Sequence, residues 1–245
     1  MAKIAAQGSR IWIDEHALSG YLSAVELKAV EQETIKVDNF LSTGPERVVG
    51  NHDHSASYSG FFDGADDAFD EIAFSNLRTD EDHYAFVAFG AATEGTYGYE
   101  RVVRLKSQAR PAQVGQAILL NLEDEGSGRI VRANILRSAT ITGTGNGTGR
   151  NLGATTSGQL FVVTYRVISV SGSGSIVLQT HESQNDGSPD SYANVSDLAS
   201  GTLSGVGVTR KTTTAATEAW KRVVVQTFSG FTSAVILVTA GTAPT

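Results

Sequence analysis

Twice in its second half this chain repeats one pattern. A run rich in β-branched and aromatic residues meets a glycine–serine break, and a second such run follows. The first is QLFVVTYRVISVSGSGSIVLQTHES (159–183), the second WKRVVVQTFSGFTSAVILVTAG (220–241). Val, Ile, Thr, Tyr and Phe fit a pleated, half-buried surface, and Gly–Ser pairs punctuate strands. Each stretch therefore reads as two strands around a turn, SGSG in one and SGFTS in the other. SGTLSGVGVTRKTTTAA (200–216) adds a weaker, threonine-rich strand. Strands at this spacing imply a small antiparallel sandwich over 159–245. With 26 glycines but only four prolines and one methionine in 245 residues, the composition favours strands and tight turns over helices.

The first 142 residues mix strands with one helix. RIWIDE (10–15), LSGYLSAVELKAV (18–30) and TIKVDNF (34–40) read as successive strands, and a loop holding Gly44 and Pro45 leads to GNHDHSASYSG (50–60). In an extended chain His52, His54, Ala56 and Tyr58 share one face, with Asn51, Asp53, Ser55, Ser57 and Ser59 on the other. DGADDAFDEIAFSNLRTD (63–80) carries Ala65, Phe69, Ile72 and Leu77 near a 3.6-residue period, with Asp63 and Asp66 at its start, and predicts an amphipathic helix. HYAFVAFG (83–90) reads as a buried strand partnered by YGYERVVRLK (97–106). QAILLNLED (116–124) and GRIVRANILRSATITG (128–143), separated by EGSG, read as an antiparallel pair. GTGNGTGRNLGATTSG (143–158) has almost nothing to bury and is expected to link a domain at 1–142 to one at 159–245.

Little of this carries chemistry. An H-x-H pair on a strand holds a metal only with further ligands, and the chain has no cysteine, while His16, His83 and His181 are far off in sequence. GTGNGTGRN lacks the preceding strand and following helix of a dinucleotide fingerprint. ESQNDGSPDSYANV (182–195) gathers Glu182, Asp186 and Asp190, the oxygen ligands calcium takes. Its spacing is not that of an EF-hand, and Asp, Asn, Gly and Pro are also what a turn requires. No nucleophile elbow precedes a helix, so neither a catalytic residue nor a cofactor is expected. A net charge of −7 disfavours tight nucleic-acid binding. MAKIAAQGSRIWIDE reads as a cytosolic start, and no segment approaches the roughly 20 apolar residues of a membrane span.

The order from GSRIWIDEHALSGYLSAVEL, through polar HDHSASYSGFFDG, to ADDAFDEIAFSNL resembles the tail tube (major tail) proteins of long-tailed bacteriophages. Such proteins open on a glycine and a short strand, pass an L-S-x-x-L element and a polar strand, and reach an aromatic–aspartate step before a single helix, as FFDGADDAF does. The resemblance spans residues 1 to about 142; the part beyond resembles the immunoglobulin-like modules added to phage tail and capsid proteins. It implies a mainly β fold, with an α+β N-terminal domain of tail-tube sandwich or barrel type. It also implies hexameric rings stacked into a tube in the virion tail, made in the host cytoplasm. Its partners would be itself, the tape measure, terminator and distal tail proteins, and viral DNA in transit. Arg47, Asn51, His52, Asp53 and His54 would then lie at contacts within the ring or stack. A capsid decoration or host-attachment protein binding surface glycans is the alternative, with Trp220, Tyr192 and Phe231 as aromatics able to stack on sugars.

Overall fold

The computed structural model describes residues 9–36, 47–63, 69–77 and 79–244. In chain order the elements are β1 (Arg10–Ile13), β2 (His16–Ala17), β3 (Leu22–Lys36), β4 (Arg47–Phe61), α1 (Phe69–Leu77), β5 (His83–Ala88), β6 (Tyr97–Ala109), β7 (Leu119–Gly126) and β8 (Val131–Ile141). There follow β9 (Gly145–Asn146), β10 (Arg150–Asn151), β11 (Gln159–Ser183), β12 (Ala193–Leu203), β13 (Gly207–Thr213) and β14 (Trp220–Pro244). The chain is mainly β with one short helix, as its composition leads one to expect.

Two compact units form. One comprises Met1–Ser19, Tyr84–Arg101 and Val131–Thr245; the other comprises Gly20–His83 and Val102–Ile130. A cut within 143–158 is not where the chain divides. That run lies inside the first unit, because its backbone, though it has little to bury, still has donors and acceptors to pair. β9 and β10 take up the edge of β14, with Asn146 opposite Val224 and Arg150 opposite Lys221.

The first unit is built on β11 and β14, each a single 25-residue strand, paired antiparallel from Gln159–Pro244 to Ser183–Trp220. SGSG and SGFTS are therefore not turns. They lie opposite each other, Ser171 against Ser233, Gly172 against Phe231 and Ser175 against Ser229, with shifts of register between. A Cβ on Gly174 would come within 1.9 Å of the Ser229 carbonyl oxygen, and one on Gly230 within 2.4 Å of that of Ser173. Glycine is needed for this close approach, and both strands bulge together where local reading finds a reversal.

Side-chain alternation gives the pair two buried faces. Phe161, Val163, Tyr165 and Val167 join a core with Leu178, Leu198, Val223, Ile236 and Val238. Val162 and Leu237 turn the other way, toward Trp12, Phe86, Val131 and Ile135. On the Val162 face sits a wholly buried ion pair. Arg166 donates to both oxygens of Glu100, at 2.6 and 3.1 Å, and to the carbonyls of Asp14 (2.8 Å) and Tyr84 (2.9 Å). Thr239 donates to Glu100 at 2.7 Å. Asp14 has φ of 51°, and its carboxylate accepts the Tyr84 N–H at 2.8 Å, so the β1–β2 turn is fixed to β5 and to Arg166 together.

The second unit holds an antiparallel sheet in the order β3-β4-β7-β6, where β6 contributes its part beyond Arg101. β3 is continuous through residues 31–33, where the sequence suggests a turn. β7 and β8 do not form the expected hairpin. β7 pairs with β4 and the later part of β6, and β8 with the start of β6 and with β14. The helix is described over Phe69–Leu77. Ile72 and Ala73 are buried, whereas Phe74 is 48% exposed; Ala65, Asp66 and Ala68 lie outside the described residues.

Removing one member of a buried pair leaves the other charge uncompensated, at a cost of about 3–5 kcal/mol. Glu100→Gln should lower the stability of the first unit by that order in urea titrations. The double variant Glu100→Leu/Arg166→Met should recover most of it. Equal losses in single and double variants would show that the hydrogen bonds to Asp14 and Tyr84 matter more than the charge balance.

Candidate assembly surface

Alternation along β4 fixes what the second unit shows to solvent. His54, Ala56 and Tyr58 are buried, Asp53 is exposed, and Ser55, Ser57 and Ser59 are half-buried. The buried face continues into Leu120, Leu122 and Asp124 of β7. Asp124 lies opposite Ala56 and accepts its N–H at 2.9 Å, and it also accepts the Tyr58 hydroxyl at 2.7 Å. This carboxylate closes a polar network beneath the sheet. In the sequence it reads only as one acid of LNLED.

The opposite face is a shallow groove of about 420 Å³ lined by residues of all four strands, among them Glu26, Asp53, Glu123, Glu125, Lys28 and Lys106. With Asp124, which also lines it, five acids against two lysines give it a net charge of −3. Lys106 forms an ion pair with Glu125, and this bond raises its pKa; Ser107 donates to Glu123 at 3.2 Å.

Among the described residues the edge at β3 has no second partner beyond β4. β6, paired with β7 from Val103 onward, has β8 and β5 beside its start and Asp70 of α1 bonded to Gln108 (2.8 Å) and Arg110 (2.5 Å) at its end. β4 also runs past the end of β7. Ser55 pairs with Glu125, but among the described residues the stretch from Arg47 to His54 is paired with β3 alone, with Lys36 opposite Arg47. At about 3.4 Å per residue, that is a two-stranded arm roughly 27 Å long. At the other end of the sheet Phe61 (56% exposed), Ile118 and Leu119 form an exposed apolar edge.

The structure separates the five residues expected at contacts. Arg47, Asn51 and His52 lie on the arm, and their side chains are outside what is described. Asp53 lies at the arm's base, lines the groove and accepts the His54 N–H at 2.7 Å. His54 points inward. Its Nε2 lies 2.8 Å from the Gly128 carbonyl, and a Cβ on Gly126 would come within 2.6 Å of its ring. Packing inside its own unit therefore buries the His54 side chain, as the two-residue period of the strand places it on the face of Ala56 and Tyr58.

In the first unit the acids of 182–195 take separate partners. Glu182 accepts the Lys221 ammonium at 2.8 Å, Asp186 the Tyr192 hydroxyl at 2.7 Å, and Asp190 the Gln184 N–H at 2.8 Å. They do not converge on a point a cation could occupy. Of the three aromatics singled out, Phe231 is in the core, Tyr192 lies beneath Arg222 (4.1 Å), and Trp220 borders a pocket.

His181, opposite Arg222, has neither ring nitrogen partnered; burial first, and then the Arg222 charge, hold its pKa below 6.5. Below pH 6.5 the unfolded chain takes up this proton while the folded chain does not, so stability falls as pH falls. The urea midpoint should drop between pH 7.5 and 5.5, and less so in His181→Gln. An identical drop in that variant would assign the effect to other groups.

No protein-family model matches the chain, and no curated protein matches its sequence. Solved structures do. A chain of the virion of a native gene transfer agent particle is 20% identical, over 53% of this chain and 97% of that one, with a TM-score of 0.41. The SPP1 tail tube is 10% identical, over 51% and 77%, with a TM-score of 0.42. The SPP1 Dit protein, described as a hub of the adsorption apparatus in phages infecting Gram-positive bacteria, is 13% identical over 96% and 99%, with a TM-score of 0.38. Likenesses this loose transfer no role, and the function of the chain rests on its own surfaces.

Proposed function

We propose that this chain is a structural, non-enzymatic subunit that assembles edge to edge into rings and stacks into the tube of a phage-type tail. The observation that carries this reading is the four-stranded sheet whose edge strand β3 pairs, among the described residues, with β4 alone. An unpaired edge is a template for another strand, and a soluble chain normally blunts it or pairs it. Because β3, β4, β7 and β6 alternate in direction, an even number of strands separates the two edges. When copies repeat by rotation, β6 of one therefore meets β3 of the next antiparallel, with no seam. Such a head-to-tail contact closes into a ring, and the ring abolishes the edges.

The groove face fits the inside of such a ring. Its charge of −3 per copy repels phosphate, so DNA passes without being held. A two-stranded arm is marginal alone, and a neighbouring copy beside it would supply the packing it lacks. Six copies per ring, a virion location after synthesis in the host cytoplasm, and contacts with tape measure, terminator and distal tail proteins follow from the sequence resemblance. The stretch 159–245 would be the module through which contacts other than those of the tube are made. Host attachment through glycans has one observation in its favour, the pocket beside Trp220.

Purified protein should form rings or hollow tubes in negative-stain micrographs as its concentration rises. Glu26→Pro and Leu27→Pro test the edge, because neighbouring N–H groups of β3 point alternately to β4 and outward. One of the two should fold yet fail to assemble. A folded chain that light scattering finds monomeric at every concentration would argue against the tube. Arg47→Ala/Asp53→Ala should weaken assembly, and unchanged tubes would remove these residues from the contact.

A further inference from the structure

We infer that the first unit carries a second, separate site: a pocket for one neutral pyranose ring, floored by Trp220. The pocket measures about 330 Å³, at the small end of the roughly 300–1,000 Å³ typical of ligand sites. It is lined by Trp220, Asn134, Asn151, Arg150, Leu152 and two glycines.

Both glycines allow close packing around it, Gly95 against Arg150 and Gly149 against Tyr192 and Asp186. Gly95 has φ of 88°, and a Cβ there would lie 3.0 Å from the Arg150 guanidinium; one on Gly149 would lie 2.0 Å from the Tyr192 hydroxyl and 2.1 Å from Asp186. The polar groups around the cavity are unusually uncommitted. Asn134 and Trp220, both half-buried, make no side-chain hydrogen bond among the described residues. The Asn151 carbonyl accepts the Gly153 N–H at 3.0 Å, leaving its amide N–H₂ to the cavity. Arg150 reaches Glu94 only at 3.4 Å, and its Nε has no acceptor. Asn134, Arg150 and Trp220 are half-buried and Asn151 exposed, and their unused donors and acceptors converge on one cavity, an arrangement that suits a polar ligand.

The lining selects the class. An apolar ligand would leave the amides unpaired, and an anion would meet Glu94 beside Arg150. A flat, uncharged ring bearing hydroxyls satisfies both conditions. Its C–H face stacks on the indole, and its vicinal hydroxyls reach the planar amides and the guanidinium. This site does not depend on assembly, although rings of copies would multiply a weak affinity.

Saturation-transfer NMR of the full chain with the methyl glycosides of glucose, galactose, mannose and N-acetylglucosamine tests it. At least one should bind with a dissociation constant on the order of millimolar, as expected for a single small ring. Asn134→Ala and Trp220→Ala should each weaken it at least tenfold, while Trp220→Phe, which keeps a flat ring, should retain part of the binding. Fluorescence gives a second readout, because the only other tryptophan, Trp12, is buried against Phe86. Retention of the chain on bacterial cell-wall polysaccharide, released by the binding glycoside, would assign a surface glycan as the source. Binding of free glycoside without retention would assign a soluble sugar. No saturation transfer with any of the four, or binding unchanged in folded Asn134→Ala and Trp220→Ala, overturns the inference. Tube formation is read separately, so failure of one reading does not touch the other.

Discussion

The first unit depends on a charge pair that water never reaches. Arg166 and Glu100 sit with zero and 2% side-chain exposure, a position that costs more than it returns unless every remaining donor and acceptor is engaged. Here they are engaged, and by backbone carbonyls far apart in sequence, those of Asp14 and Tyr84. One guanidinium therefore joins β11, β6, the β1–β2 turn and the start of β5. An apolar pair could fill the same volume but could not dictate which turn lies against which strand. Lys221, buried between Glu182 and the carbonyls of Ala216 and Glu218, repeats the device on the other face of β14 at a smaller scale.

The second unit shows the opposite economy. Its sheet buries one face with a few well-packed side chains and the Asp124 network, and leaves the other to water and to weak exposed ion pairs, with β3 paired on one side among the described residues. Exposed pairs such as Lys106–Glu125 stabilise little, so the stability of β3 and of the arm depends on what pairs with them.

Much of this was legible in the sequence, and the failures share a cause. The strand content, the single helix and the two faces of 53–59 follow from period and propensity, which are local quantities. The partner of a strand is not local. EGSG and SGSG have the composition of hairpin turns, yet one separates strands with different neighbours and the other is a bulge. The run 143–158 looks like a linker because its composition offers little to bury, but an edge pairing needs only backbone. His54 was placed on the right face of the strand, while which face is covered depends on β7 and Gly126. The Trp220 pocket draws on residues from 95 to 220 and has no contiguous signature at all.

The glycines at the middle of β11 and β14 have a consequence beyond bending. Gly174 admits the Ser229 carbonyl, and Gly230 admits that of Ser173, each in a space that any side chain would fill. Were β11 to slide by one residue along β14, serines would arrive where the glycines now stand, and the passing carbonyls would collide with them. Two strands of 25 residues, rich in interchangeable Val and Thr, have many near-equivalent alignments. The crossing point works as a key cut for one of them.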